Sequence, residues 1–97
     1  MNKETNQLFQ AKENYIMRKI AGKDVLIPIG GNVANFNGFI EMNPTAAFIW
    51  NILKSPASKY EIVKAVSEAF ETDEGIARPD VDEFISLLSE HDMIEVL

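Results

Sequence analysis

The sequence predicts an α+β domain in which three short antiparallel strands are followed by three helices. Between residues 15 and 42, runs rich in β-branched and aromatic residues alternate with turn sequences, a pattern typical of strands. From residue 43 onward, apolar residues recur at helical spacing behind residues that favour helix starts. A chain of 97 residues suffices for one domain with a single modest core.

The three strands are predicted from short apolar runs, namely Tyr15–Ile20, Val25–Ile29 and Phe39–Met42. The first two form a hairpin around a turn at residues 21–24. Pro28 cannot donate to a ladder, so pairing ends there or that side of the second strand is an edge. Asn37 and Gly38 tolerate positive φ and predict a tight turn before the third strand.

The stretch Asn43–Leu53 predicts a central, buried helix. Asn43 is suited to cap its N-terminus, and Pro44 fits the first helical position. The residues that follow are apolar around most of the circumference, so several neighbours must cover the helix. We expect a structural core anchor made of Asn43, Phe48, Ile49, Trp50 and Leu53. Because Asn43 directly follows the third strand, burial of this helix also holds that strand in place.

Two further helices and two terminal segments complete the prediction. Ser58 and Glu61 form a capping-box pattern that begins a second helix over about residues 59–70. A polar link over residues 71–78 precedes a third helix that starts at Pro79 and ends near Glu90. Residues 93–97 form a short apolar tail able to make a last strand. Residues 1–14 are predicted as a polar tail, either frayed or docked through Leu8 and Phe9, and residues 15–97 as the single domain.

Composition excludes several classes of function. Nine basic against fifteen acidic residues give a net charge of −6, which disfavours nucleic-acid binding. The element order resembles a winged helix-turn-helix, which leaves a transcription regulator as an alternative. Residues 80–92, which hold the predicted third helix and its C-terminal end, however, carry five acidic residues and no lysine or arginine, so phosphates would repel this helix.

No catalytic or cofactor-binding constellation is evident in the sequence. Without cysteine and with His91 alone, the chain has no disulfide framework, thiol nucleophile or zinc-ligand set. His91 is expected at a helix C-terminus, and Trp50 in the core. We therefore expect neither enzyme activity nor a cofactor or metal. There is no apolar run long enough for a membrane span and no secretory signal, so a cytoplasmic location is the expectation.

The apolar residues of the predicted third helix indicate a groove. They cover an arc of about 160°, wider than a helix needs to pack on one core. The arc is made of five residues, namely Val81, Phe84, Ile85, Leu87 and Leu88. Leu87 and Ile85 lie at its two margins. Either all five residues pack inward, or one margin faces a groove. The third strand offers an edge for strand addition, unless another strand or the C-terminal tail covers it. Pairing of that edge with a second protomer, in a small oligomerisation module, is a further alternative.

The linear order of motifs is similar to that of the PqqD family. The resemblance covers about residues 15–94, and its most specific part is the Asn-x-Thr-x-Ala-x-Ile-Trp signature at residues 43–50. The blocks that carry it are Arg18–Lys23, Val25–Gly30, Phe36–Asn43, Thr45–Trp50 and Asp80–Ile85. Two departures are Ala46, where many members have glycine, and His91-Asp92 in place of a common glycine-containing helix stop.

The resemblance implies a non-catalytic domain that recognises precursor peptides. In that family, the leader of a ribosomally made precursor adds as a strand beside the third strand, against the third helix. The domain then presents the precursor to a modifying enzyme, commonly a radical S-adenosylmethionine enzyme, and no cofactor of its own is implied. Carried onto this chain, which is expected to be a monomer or homodimer, the site comprises Phe39, Ile40, Glu41, Met42, Val81, Phe84, Ile85, Leu87 and Leu88.

Overall fold

The computed structural model describes residues 7–29 and 40–97, and within them the α+β prediction is confirmed. The strands are β1 (Leu8–Ala11), β2 (Tyr15–Ile20), β3 (Lys23–Pro28), β4 (Ile40–Met42), β5 (Ala57–Ser58) and β6 (Ile94–Val96). The helices are α1 (Pro44–Ile52), α2 (Lys59–Ala69) and α3 (Glu74–Glu90). The predicted strands correspond to β2, β3 and β4. Phe39 and the turn at Asn37-Gly38 lie outside the described residues.

The strands β2, β3 and β4 form one antiparallel sheet in that order. The hairpin between β2 and β3 has a two-residue turn at Ala21 and Gly22, whose φ angles are 53° and 81°. Two positive φ angles match the twist of the flanking strands, which is why such turns close hairpins. Within the described residues, β3 pairs with β4 from Asp24 to Leu26. The residues that would face Pro28 across this ladder lie outside the described ranges, so the predicted end of pairing at Pro28 stays a prediction.

A second sheet, absent from the prediction, brings the two ends of the chain together in the order β5-β1-β6. Phe9 of β1 is only 6% exposed, and the Ala11 N–H donates to the Leu53 carbonyl at 2.8 Å. The interpretation of residues 1–14 as a frayed tail is therefore wrong for residues 8–11. The predicted domain boundary at residue 15 would separate β1 from β5 and β6, the two strands with which it pairs. The arm docks through Phe9, and it docks on its own chain.

Helix α1 lies at the centre of the core, as predicted. Ile49, Trp50 and Leu53 are at most 1% exposed, and the helix packs against α2, α3 and β4. The Asn43 side-chain oxygen accepts the N–H of Ala46 at 2.8 Å, so the cap is present. Phe48 of the predicted anchor is only half-buried. It lies at the margin of the core, with its ring edge-to-face against that of Phe70 at 5.4 Å.

The capping box of α2 is confirmed, but the predicted start of α3 is wrong. Ser58 and Glu61 exchange side-chain to backbone hydrogen bonds of 3.1 and 2.9 Å. Helix α3 begins at Glu74 rather than at Pro79, and its 17 residues include that proline. The Asp73 carbonyl accepts the N–H of Ala77, whose burial to 2% exposure draws the first turn onto the core. No helix in the described ranges is long and apolar enough to cross a membrane.

Candidate functional site

A groove of about 300 Å³ lies between the junction of β4 with α1 and the face of α3. It opens beside the strand that was predicted to offer a free edge. Its lining residues come from three elements: Glu41 of β4, Asn43, Thr45, Ala46 and Ile49 at α1, and Asp80, Glu83, Phe84 and Leu87 of α3. The site therefore depends on the packing of α1 against α3.

The floor of the groove is apolar. Phe84 is 8% exposed and Ile49 is fully buried, whereas Leu87 is half-buried and therefore accessible from the groove. Asp80, Glu83, Phe84 and Leu87 follow the spacing i, i+3, i+4 and i+7, so α3 presents all four on one face. Of the two margins considered from the sequence, the one at Leu87 faces the groove, since Ile85 is 4% exposed.

The edge of β4 is open in the part of the chain that the structure describes. In the sheet order β2-β3-β4, only β3 is a neighbour of β4. The C-terminal strand β6 pairs with β1 instead, so the alternative in which residues 93–97 cover the third strand is wrong. An open strand edge is able to accept an extended segment through main-chain hydrogen bonds.

The hairpin register determines which backbone groups of β4 face this edge. Ile20 and Lys23 flank the two-residue turn and therefore form a hydrogen-bonded pair. Alternation along β3 then directs the backbone groups of Asp24 and Leu26 toward β4, where their partners are Met42 and Ile40. The N–H and C=O of Glu41 consequently point away from β3. Glu41 thus presents a backbone donor and an acceptor on the open edge.

The rim of the groove is acidic. Glu41, Asp80 and Glu83 contribute three carboxylates, and none of the lining residues is lysine or arginine. Lys23 lies 3.0 Å from the Glu41 carboxylate, whereas no ion pair joins Asp80 or Glu83 to another residue in the described ranges. No three acidic or histidine side chains converge as a metal site within residues 7–29 and 40–97. Within the described residues, the rim therefore carries two carboxylates, those of Asp80 and Glu83, that no lysine or arginine pairs with.

Of the predicted site residues, the structure brings three to the groove and places the other described ones in or against the core. Glu41, Phe84 and Leu87 line the groove. Ile40 is half-buried against the core, and Phe39 lies outside the described residues. The remaining four are at most 5% exposed and lie in the core behind the groove: Met42, Val81, Ile85 and Leu88. The predicted groove is thus smaller on its helical side than the apolar arc indicated.

Six lining residues were not among the predicted site residues. Asn43, Thr45, Ala46 and Ile49 belong to the first turns of α1, which the sequence marked only as a structural anchor. Asp80 and Glu83 were considered only as acidic residues of the third helix that phosphates would repel. Their spacing of four residues from Phe84 and Leu87 was the available signal, because it places them on the groove face. The α1 residues could be located only once the packing of α1 on α3 was known.

Fold and groove together define a small α+β domain that presents an open sheet edge beside an apolar, acid-rimmed groove. The chain belongs to the PqqD family, described as coenzyme PQQ synthesis protein D, whose sequence profile matches residues 18–94. The resemblance inferred from the motifs is therefore confirmed. No curated protein matches the sequence.

Two solved structures share the fold. One is TbiB1 in complex with the TbiA(β) leader peptide, with a TM-score of 0.68 and 17% identity, covering 89% of this chain and 94% of that chain. The other is the solution NMR structure of the PqqD truncation of Methylobacterium extorquens PqqCD, described as a stand-alone recognition element for ribosomally synthesized and post-translationally modified peptides. Its TM-score is 0.69 at 12% identity, covering 91% of this chain and 88% of that chain.

Proposed function

We propose that this chain is a non-catalytic domain that captures the leader of a ribosomally made precursor peptide by strand addition to β4. It then presents the precursor to a separate modifying enzyme, of the radical S-adenosylmethionine type. The observation that carries the proposal is the open edge of β4 beside the groove of α3. Membership of the PqqD family and a fold shared with a leader-peptide complex support it.

Strand addition uses the two kinds of contact that this site offers. The backbone N–H and C=O of Glu41 pair with the peptide main chain, whatever the peptide sequence. Side chains on the inner face of the added strand then enter the groove and contact Phe84 and Leu87. Main-chain bonds contribute affinity, and the groove selects among peptides.

The core anchor lowers the cost of binding on the protein side. Asn43 caps α1 directly after β4, and Ile49, Trp50 and Leu53 hold α1 in the core. The edge is therefore formed before the peptide arrives, and only the peptide has to become ordered. Ordering a flexible leader still opposes association, so we expect moderate affinity.

Fluorescence polarisation with a labelled leader peptide tests the proposal. The probes are synthetic leader segments of the short open reading frames beside the gene. Leu87→Lys removes an accessible apolar contact that is worth about 1.5–3 kcal/mol when fully buried, so affinity should fall about tenfold to a hundredfold. Ser86→Lys, at the adjacent exposed position that does not line the groove, is the matched control and should bind as the wild type does.

Both variants should retain the wild-type circular dichroism spectrum, because neither position is a fully buried core residue. The proposal fails if no neighbouring leader segment binds the wild type. It also fails if Leu87→Lys and Ser86→Lys bind the leader equally well.

A further inference from the structure

The groove has two chemically different ends along α3. Asp80 and Glu83 lie at the end nearer the helix N-terminus, and Phe84 and Leu87 lie one turn further on. The first pair is exposed and ionic, whereas the second pair is largely buried and apolar. A ligand that fills the whole groove must therefore satisfy negative charge at one end and apolar surface at the other.

We infer that the groove selects a peptide segment with a lysine or arginine two residues from an apolar anchor. This inference rests on the proposed function and specifies the chemistry of its ligand. The basic side chain lies against Asp80 and Glu83, and the apolar one against Phe84 and Leu87. Charge complementarity supports this occupant. Among the described residues, no lysine or arginine lines the groove, and no ion pair joins Asp80 or Glu83 to another side chain.

The spacing follows from the geometry of helix and strand. The centres of the two residue pairs are four positions apart on α3, which corresponds to about 6 Å of helix rise. Side chains on one face of an extended peptide recur every two residues, about 6.8 Å apart. A peptide that runs along α3 therefore places two successive groove-facing side chains over the two ends.

The N-terminus of α1 does not reverse this preference. A helix N-terminus carries roughly half a positive charge, and the start of α1 at Asn43 and Thr45 lines the same groove. The Asn43 side-chain oxygen already accepts the Ala46 N–H at 2.8 Å. Three carboxylates outweigh the remaining partial charge, since Glu41 is the one of the three that pairs with a lysine in the described part of the chain.

Display selection of random peptides tests the inference without knowledge of the natural precursor. A library of random 12-residue peptides is selected on the immobilised wild-type chain and, in parallel, on the double variant Asp80→Asn/Glu83→Gln. We expect wild-type binders to be enriched in lysine or arginine at a spacing of two from an apolar residue. That basic enrichment should disappear with the double variant, whereas the apolar preference should remain.

A second double variant controls for the overall negative charge of the chain. Glu13→Gln/Glu95→Gln removes two exposed carboxylates that lie outside the groove and have no ion-pair partner in the described ranges. One selected 12-residue peptide should bind it within about twofold of wild type. The same peptide should lose about tenfold in affinity on Asp80→Asn/Glu83→Gln, because two exposed ion pairs are lost.

The outcomes separate the inference from the function on which it rests. Enriched binders without a basic residue, or equal losses in both double variants, overturn the inference and leave strand addition intact. A selection that enriches no peptide, together with no binding of neighbouring leader segments, overturns both.

Discussion

Asn43 shows how one residue serves two elements. Its side chain caps α1, and its backbone directly follows the last residue of β4. Asn43 therefore joins the end of the strand to the first turn of the helix without an intervening loop. It also lines the groove. The cap was predictable because Asn before Pro at a helix start is a local signal that needs no tertiary information.

Removal of this cap should lower stability. Asn43→Ala leaves the Ala46 N–H without its side-chain acceptor, and we expect a loss of about 1 kcal/mol in the free energy of unfolding. Asn51→Ala is the matched control, since Asn51 is exposed within α1 and alanine favours helix. Urea unfolding should give a lower midpoint for the first variant only. Equal midpoints would show that the cap contributes nothing to stability.

For Leu87 and Ile85, the sequence does not predict which of the two side chains is buried. Both lie at margins of the apolar arc of α3, and periodicity treats them alike. Burial separates them, because Ile85 is 4% exposed and Leu87 is half-buried beside the groove. Which margin faces the core depends on how α3 rotates against α1 and α2, and that rotation depends on all their side chains together.

At the scale of elements, the register of the β2-β3 hairpin determines which backbone groups of β4 face the open edge. The two-residue turn at Ala21-Gly22 sets the alternation along β3, and β3 transmits it to β4. Glu41 thereby points its backbone groups to the open edge. Shifting this register by one residue would present Ile40 and Met42 at the edge instead.

Replacement of the Glu41 N–H tests strand addition directly. Glu41→Pro removes the outward N–H without removing a donor to β3, and proline is tolerated on strand edges. Glu41→Thr also removes the carboxylate but keeps the N–H, so the pair isolates the main-chain contribution. By fluorescence polarisation, we expect the proline variant to bind leader peptide about tenfold more weakly than the threonine variant. Matching affinities would mean that the peptide does not pair with this edge.

The start of α3 shows how a local signal misleads at this scale. Pro79 is well suited to a first helical position, and the prediction placed the helix start there. Proline inside a helix removes the donor for a carbonyl four residues earlier, at a cost of about 3 kcal/mol. The helix nevertheless begins at Glu74, with Ala77 buried in the core. Packing of the first turn against the core outweighs the preference of Pro79 for the first helical position. Such packing cannot be predicted from a local sequence pattern.

At the scale of the whole molecule, two sheets lie around one central helix. The hairpin sheet carries the open edge, and the sheet β5-β1-β6 joins the two ends of the chain. Both contribute to one core cluster, through Leu26 and Met42 of the first and Phe9 and Ile94 of the second. We therefore expect the two sheets to unfold together.

Neighbouring residues of β1 test this coupling. Phe9→Ala creates a cavity in the core and should reduce the free energy of unfolding by about 3–5 kcal/mol. Leu8→Ala, at the adjacent position that is 37% exposed, should cost about 1 kcal/mol or less. Thermal unfolding followed by Trp50 fluorescence and by far-ultraviolet circular dichroism should give one shared transition in each protein. Separate transitions by the two probes would show that the sheets are independent units.

The sequence by itself determined the α+β class, the three predicted strands within the described range, the caps of α1 and α2, and the family. These features depend on local periodicity, turn residues and motif order, which are properties of short stretches of chain. Only the tertiary structure decided that Phe9 joins the core, that β6 pairs with β1, and that Asp80, Glu83 and the start of α1 share a groove with Leu87. Such contacts join residues that are distant in sequence, and they are selected by burial summed over the whole core.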